Sequence, residues 1–467
     1  MVLVAVLVML AMAGATAFIL MRDSSERTYP ARWDPRVAPY VQLVQNKRGL
    51  FFLHPVEVRF LAEANFEKTI AADETKPSKK EREAVEQFTG LMRAFGLLTG
   101  DIDLSASVDD FNTGGTLAYY SFEDERITIR GEQVTPAVRA TLVHELTHVL
   151  QDQHFKIGDR MTELRKADQA DGTSEATLLD AVVEGDAERV ADLYRDSLKP
   201  KKRKALDAGA KQEVAAARKR TKQVPMVITT MMTSPYTLGA DMVEAVAEDG
   251  GNAKVDMLFR DLPKDETALL DPSQALSGNN ATKVDVPKLK DSEKKFASGV
   301  FGVVTWYLML AERMPLQDAL AASDGWAGDA YVGFKRGGSS CARMTYAGDT
   351  PQDTNRMLSA LRRWSAAAPG APTKVSRLGG RVSFETCDPG KAAKVGKNAS
   401  EDAVQLVLIR NAYAMAALRA DVPKKMARCL AGRLVQSFPV ARLLDPKFGV
   451  GDPAVQTRVQ QFAAACR

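Results

Sequence analysis

Two of the 4 histidines in the chain stand four residues apart, in His144-Glu145-Leu146-Thr147-His148, and that spacing restricts what this segment can become. Residues four apart on a helix lie one above the other on the same face, so both imidazoles can point at one ion. Glu145 follows the first of them by one position, placed to reach a water on the metal rather than the metal itself. Two His ligands and a general-base Glu are the parts of a hydrolytic zinc site. The segment therefore predicts a helix carrying Zn²⁺ and hydrolytic chemistry directed at a peptide bond. The competing reading is a core helix whose histidines are satisfied by hydrogen bonds.

The flanks favour the first reading. Tyr119-Tyr120-Ser121 and Ile127-Thr128-Ile129-Arg130 are β-rich runs around the polar turn 122–126, and they predict a hairpin. Gly131 ends the second strand. Thr135-Pro136 then supplies an N-cap with proline at the first helical position. The predicted helix runs from Ala137 to about Asp152, with Val138, Leu142, Leu146, Val149 and Leu150 on its apolar side. An edge strand in front of such a helix can hold an extended substrate by backbone pairing.

A catalytic zinc usually takes a third protein ligand and leaves the fourth position for water. His154 lies six residues after His148, but a ligand there needs a glycine midway to turn the chain back, and the chain has Gln151. Leu178-Leu179-Asp180-Ala181-Val182-Val183-Glu184-Gly185-Asp186-Ala187-Glu188 offers a better candidate. Its apolar positions recur at helical spacing, and Glu184 interrupts the buried side next to Gly185, whose small size allows close helix approach. Glu188 sits one turn further along that face, where it can accept the free N–H of a ligand His. Asp186 is expected to be an exposed acid.

His144-Glu145-Leu146-Thr147-His148 with Glu184 and Glu188 resembles the gluzincin pattern of thermolysin-like peptidases, HExxH followed by ExxxD, with Glu in place of the final Asp. The runs HELTHVLQDQHF and VEGDAE are also similar to a family of bacterial membrane-anchored or secreted zinc metallopeptidases. Ser234-Pro235-Tyr236-Thr237-Leu238-Gly239 and the segment Gly325 to Tyr331 are similar to later motifs of that family, so the resemblance covers roughly residues 49–365. It implies Zn²⁺ on His144, His148 and Glu184, with Glu145 as the base and a zincin-like lobe around them. Related enzymes stabilise the oxyanion with Tyr or His; Tyr236, in an expected Pro-Tyr turn between helices, is the first candidate and Tyr331 the second. His54 precedes a predicted strand and reads as structural.

A formal net charge of +4 over 467 residues argues against a nucleic-acid protein. Much of the excess lies in 199–222, expected as an exposed basic helix or helical hairpin. Met1 to Met21 has no charged side chain and, at about 1.5 Å per residue, is about 30 Å long, enough to span a bilayer core. The expectation is a transmembrane anchor or a signal segment, with the rest of the chain outside the cytoplasm at the cell surface. All 4 cysteines lie in the last third of the chain, with no CxxC. That arrangement predicts the disulfides Cys341–Cys387 and Cys429–Cys466 in an oxidising compartment.

The fold class expected is α+β: a zincin-like lobe with a small mixed sheet and the HExxH helix, then a mainly helical lobe and a small α+β C-terminal module. The expected divisions are 1–21 as anchor or signal, 22–48 as a juxtamembrane tether, 49–335 as the metallopeptidase domain and 336–467 as the disulfide module. Within them, 165–175 reads as a loop and Phe296 to Arg313 as one helix. A hairpin is expected over 330–346, a helix from Thr350-Pro351 to about Trp364, a Pro/Gly linker over 368–380, and a strand followed by helices over 400–438. The functional expectation is zinc-dependent hydrolysis of a peptide or protein substrate. A non-catalytic, metal-stabilised binding protein and a zinc hydrolase of another amide stand as alternatives, although an intact Glu145 has no use in a purely structural site.

Overall fold

Ile127 and Ile129 alternate with Thr128 and Arg130, and all four are buried, so their strand lies inside a sheet rather than at its edge. The computed structural model describes residues 28–72, 78–171, 174–276, 281–367, 373–394 and 396–467. In it β3 (Arg126–Arg130) is flanked by β1 (Glu57–Leu61), which runs parallel, and by β2 (Ala118–Ser121), which runs antiparallel through the expected hairpin. Among the described residues the order β1-β3-β2 puts β2 at an edge of the sheet.

Helix α2 (Pro136–Phe155) packs on this sheet, and α1 (Ala38–Arg48) and α3 (Glu175–Ser197) pack against α2. Val44, Ile127, Ile129, Leu142, Leu146, Leu150 and Val190 form one core there. Basic helix α4 (Pro200–Arg220) lies outside it and buries little beyond Leu206. Helix α5 (Met226–Arg260) then returns along α3.

A second sheet has the order β4-β5-β6-β8-β7, with every neighbour antiparallel. Its strands are β4 (Lys294–Gly299), β5 (Trp326–Arg336), β6 (Ser339–Gly348), β7 (Thr373–Leu378) and β8 (Arg381–Cys387). Helices α6 (Val303–Ala311) and α7 (Pro351–Ala366) cover it, with Trp306, Trp364 and Phe384 filling the space between, and α8 (Ser400–Arg419) packs against α6. Cys341 and Cys387 stand opposite each other on β6 and β8 and are bonded, with Cα atoms 4.0 Å apart. Cys429, on α9 (Lys424–Ser437), is bonded to Cys466 at 5.6 Å. The mixed α+β class, the 330–346 hairpin and both disulfides match the expectations.

Several expectations need correction. Residues 38–48 are not a tether: α1 buries Val44 and Arg48 against the rest of the protein. Residues 165–171 continue a helix, Ile157–Asp171, rather than a loop. The helix expected from Phe296 is split into β4 and α6: Gly302 takes a left-handed φ of 81°, and the carboxylate of Asp329 accepts the backbone N–H of Phe301 and of Gly302 just before α6 begins. Part of the expected linker 368–380 is β7, and residues 400–419 are helical rather than beginning with a strand. Residues 335 and 336 lie together in β5, so the second sheet runs across the boundary drawn there. The single-pass membrane anchor is also withdrawn, and with it the placement of the chain as a membrane protein at the cell surface. Among the described residues no helix is long and apolar enough to cross a membrane, and residues 1–21, on which that expectation rested, lie outside them.

Candidate metal centre

Thr135 caps α2 by accepting the backbone N–H of Val138, and Pro136 occupies the first turn, where no intrahelical N–H bond is lost. The helix then runs 20 residues and buries His144, Glu145 and His148 in its middle. Glu184 comes from α3, which crosses close to this stretch. The close backbone approach made by Gly185, however, is to α5 rather than to α2. A Cβ on Gly185 would lie 2.3 Å from the Gly239 carbonyl, and one on Gly239 would press on the Ala181 carbonyl oxygen. The two glycines let α5 lie against α3, and α5 carries Tyr236.

His144 Nε2 and His148 Nε2 face each other at 3.0 Å. Glu184 Oε2 is 3.2 Å from the first and 3.4 Å from the second. A tetrahedral ion about 2.0–2.1 Å from each donor holds those donors about 3.3 Å apart. The three separations bracket that edge length, and the donor set of two imidazoles and one carboxylate suits zinc, so the residues present fit such an ion. His144, His148 and Glu184 are also the one group of ligand-type side chains close enough to share a metal among the described residues.

Charges reinforce the convergence. Burial opposes ionisation of Glu184, but His148 and His144 outweigh it and hold the carboxyl down at about 2. Burial likewise opposes the charge on His144, yet hydrogen bonds to Glu184 and Glu188 raise it well above the ordinary imidazole range. His148 is raised in the same way, chiefly by Glu184. A metal ion binds the deprotonated nitrogens, so this upward shift works against its uptake. Burial also pushes Glu145 above the usual carboxylate range, against the pull of His144 and His148.

The backbone N–H of Tyr120 donates to the Glu145 carboxylate. In the β2–β3 register the neighbouring Leu117 carbonyl accepts from Arg130 N, so residues 117, 119 and 121 turn towards β3 while 118 and 120 present their backbone groups on the free edge. That free edge therefore faces Glu145. Tyr236 stacks on the His144 ring, with centroids 5.9 Å apart and planes 15° from parallel. Its hydroxyl hydrogen-bonds Glu184, and Glu184's charge, followed by burial, holds its pKa well above that of a free tyrosine. It lies inside α5, not in a turn between helices. Pro235 is accommodated there because Ser234 Oγ donates to the Met231 carbonyl, which has lost its usual N–H partner.

Other candidates lie elsewhere. His154 is exposed and its Nε2 is 2.8 Å from the Phe51 carbonyl, so it is not among the grouped donors. Tyr331 is buried in the larger core, and His54 hydrogen-bonds Gln153. Glu188 is about half exposed, with Oε2 3.5 Å from His144 Nδ1. Asp186, expected on the surface, is fully buried. It belongs to a chain of contacts that sequence reasoning missed. Gln151 Oε1 is 2.9 Å from His148 Nδ1, and Gln151 Nε2 donates to the Val183 carbonyl at 2.9 Å and to Asp186 Oδ2 at 3.0 Å. Arg48 Nε donates to the same Asp186 oxygen at 2.7 Å, and its Nη2 pairs with Asp256 at 2.6 Å. Gln151 was visible as a polar residue three positions after a ligand, whereas nothing near Arg48 in the sequence announces its role.

Comparison with protein-family models, curated proteins and solved structures finds no significant match to this chain.

Proposed function

We propose that the protein is a zinc-dependent peptidase of gluzincin type, built on a zincin-like lobe. His144, His148 and Glu184 would hold the ion. The observation that carries this reading is the convergence of three ligand atoms at tetrahedral edge lengths, with Glu145 beside them and a free strand edge turned towards it. A zinc ion supplies Lewis acidity, polarising a carbonyl and acidifying water. Glu145, lifted by burial towards the working range of a general base, takes the proton from the attacking water and returns it to the leaving amine. Along the edge of β2 the backbone of Ala118 pairs with an extended peptide or protein substrate and aligns its carbonyl. Tyr236 stays protonated and can donate to the oxyanion as it forms.

The test is zinc analysis of the purified protein combined with cleavage of a peptide library. Bound zinc in near-equal molar ratio and cleavage abolished by Glu145→Gln are the expected results. A protein that takes up zinc but cleaves no peptide bond would move the reading to another amide or to binding alone.

A further inference from the structure

The Gln151 amide can lie only one way round. Its nitrogen faces the Val183 carbonyl and an Asp186 carboxylate oxygen, both of them acceptors. Turning the amide over would set its own oxygen against both, inside a site where Gln151 is fully buried. The amide oxygen is therefore committed to His148 Nδ1, 2.9 Å away. An oxygen there accepts, so Nδ1 carries the proton and Nε2, the nitrogen facing His144 and Glu184, keeps its lone pair.

The Asp186 carboxylate that receives this amide nitrogen is itself fully buried. The compensating charge is Arg48, also fully buried, which donates to the same oxygen and reaches Asp256 on α5. Val183 precedes Glu184, so the same amide also ties the His-bearing helix to the turn of α3 that carries the carboxylate ligand. We infer that Gln151 and Arg48 are positioning residues of the metal centre. Gln151 fixes the tautomer of His148 and the spacing between α2 and α3, and Arg48 on α1 holds the Asp186 carboxylate in the place that aims Gln151. This rests on the reading of the site as a metal centre, but the tautomer itself can be measured without metal.

The chain has 4 histidines, which makes imidazole ¹⁵N spectra of the full-length protein assignable. In the metal-free wild type, above the pH at which His148 titrates, its Nδ1 should carry the proton. Gln151→Met keeps the length and removes the amide. It should leave circular dichroism unchanged, release His148 into a mixture of tautomers, and weaken zinc binding about 10–100-fold, the usual consequence of losing an outer partner of a ligand His. Arg48→Lys retains the charge without the planar fork and should shift zinc affinity in the same direction. A wild-type His148 protonated on Nε2, or a Gln151→Met protein with wild-type tautomer and zinc affinity, would overturn the inference. If neither protein takes up zinc, the proposed function fails, and the spectra of the metal-free pair still decide the tautomer.

Discussion

The metal centre and the ion cluster of the second sheet both bury carboxylates against cations, yet they are built on opposite plans. In the sheet, Glu293 and Glu385 each meet both Arg336 and Arg343, at 2.5 to 2.9 Å, so every charge in the group faces an opposite one within it. At the metal centre, Glu184 meets two imidazoles and the Tyr236 hydroxyl, and the donor atoms of His144, His148 and Glu184 are aimed at the space between them. A closed set of permanent charges secures a fold. An inward-facing set of ligands whose protons can be displaced is suited to binding something. The contrast is useful because pKa direction alone does not separate them: Glu184 and Glu293 are both held at about 2.

The largest effect expected from breaking the functional side of this comparison is that of Glu145→Gln. Removing a positioned acid/base costs about 10²–10⁴ in rate. Zinc content and thermal unfolding should stay near wild type, because the amide keeps the shape and Glu145 is not one of the three ligands. Wild-type turnover by this variant would remove Glu145 from the mechanism.

Tyr236→Phe comes next. Loss of one donor to the oxyanion costs about 10²–10³ in kcat. The ring remains free to stack on His144, so zinc affinity and KM should move much less than kcat. A change in zinc affinity with kcat unaltered would make Tyr236 a support for Glu184 instead.

On the structural side, Cys429→Ser with Cys466→Ser opens a link between residues 37 apart in sequence. Chain entropy assigns such a closure up to about 4 kcal/mol. The loss should appear as a lower unfolding temperature without loss of zinc, because the bond joins α9 to the C-terminal end rather than any element of the metal centre. If zinc is lost along with stability, the two regions are more tightly coupled than their separate contacts indicate.

How much of this could be read from the sequence followed the range of the interactions involved. Helix α2 was legible because Thr135, Pro136 and the histidine spacing are local signals. Glu184 was legible because an acid interrupting a buried helical face is also local. The carboxylate that holds the Phe301 and Gly302 N–H groups belongs to Asp329, 28 and 27 residues away, and without it the stretch from Phe296 reads as one helix. The apolar run Val404 to Ile409 looked like a strand, whereas the buried positions Ala403, Leu406, Val407 and Arg410 follow a helical period. Pro235 suggested a turn because the Ser234 hydroxyl that makes the helix tolerable is a side-chain compensation. Asp186 was misplaced because Arg48, which makes its burial affordable, is 138 residues earlier.

The smallest expected effect, and the one that separates the two regions by sign, is the response of the metal-free protein to pH. Burial alone would raise Glu293, but hydrogen bonds from Arg343 and Arg336 prevail and hold it at about 2 in the folded chain, against 4.5 as the ordinary value. A carboxyl depressed on folding contributes stability above its unfolded pKa and loses it as pH falls through the folded value. The ion cluster should therefore weaken between about pH 4.5 and 2. The imidazoles of the metal centre behave in the opposite sense. His144 and His148 are raised on folding, so their contribution is complete below about pH 6.5 and is lost as pH rises through the raised values, while Glu184, held at about 2 like Glu293, adds to the acid limb. Unfolding temperatures followed on both sides of neutrality would show the two regions separately. Glu293→Gln should reduce the acid limb and leave the alkaline limb in place, whereas His144→Gln should flatten the alkaline limb. An acid limb unchanged by Glu293→Gln would mean that the closed cluster is not where the second sheet draws its electrostatic stability.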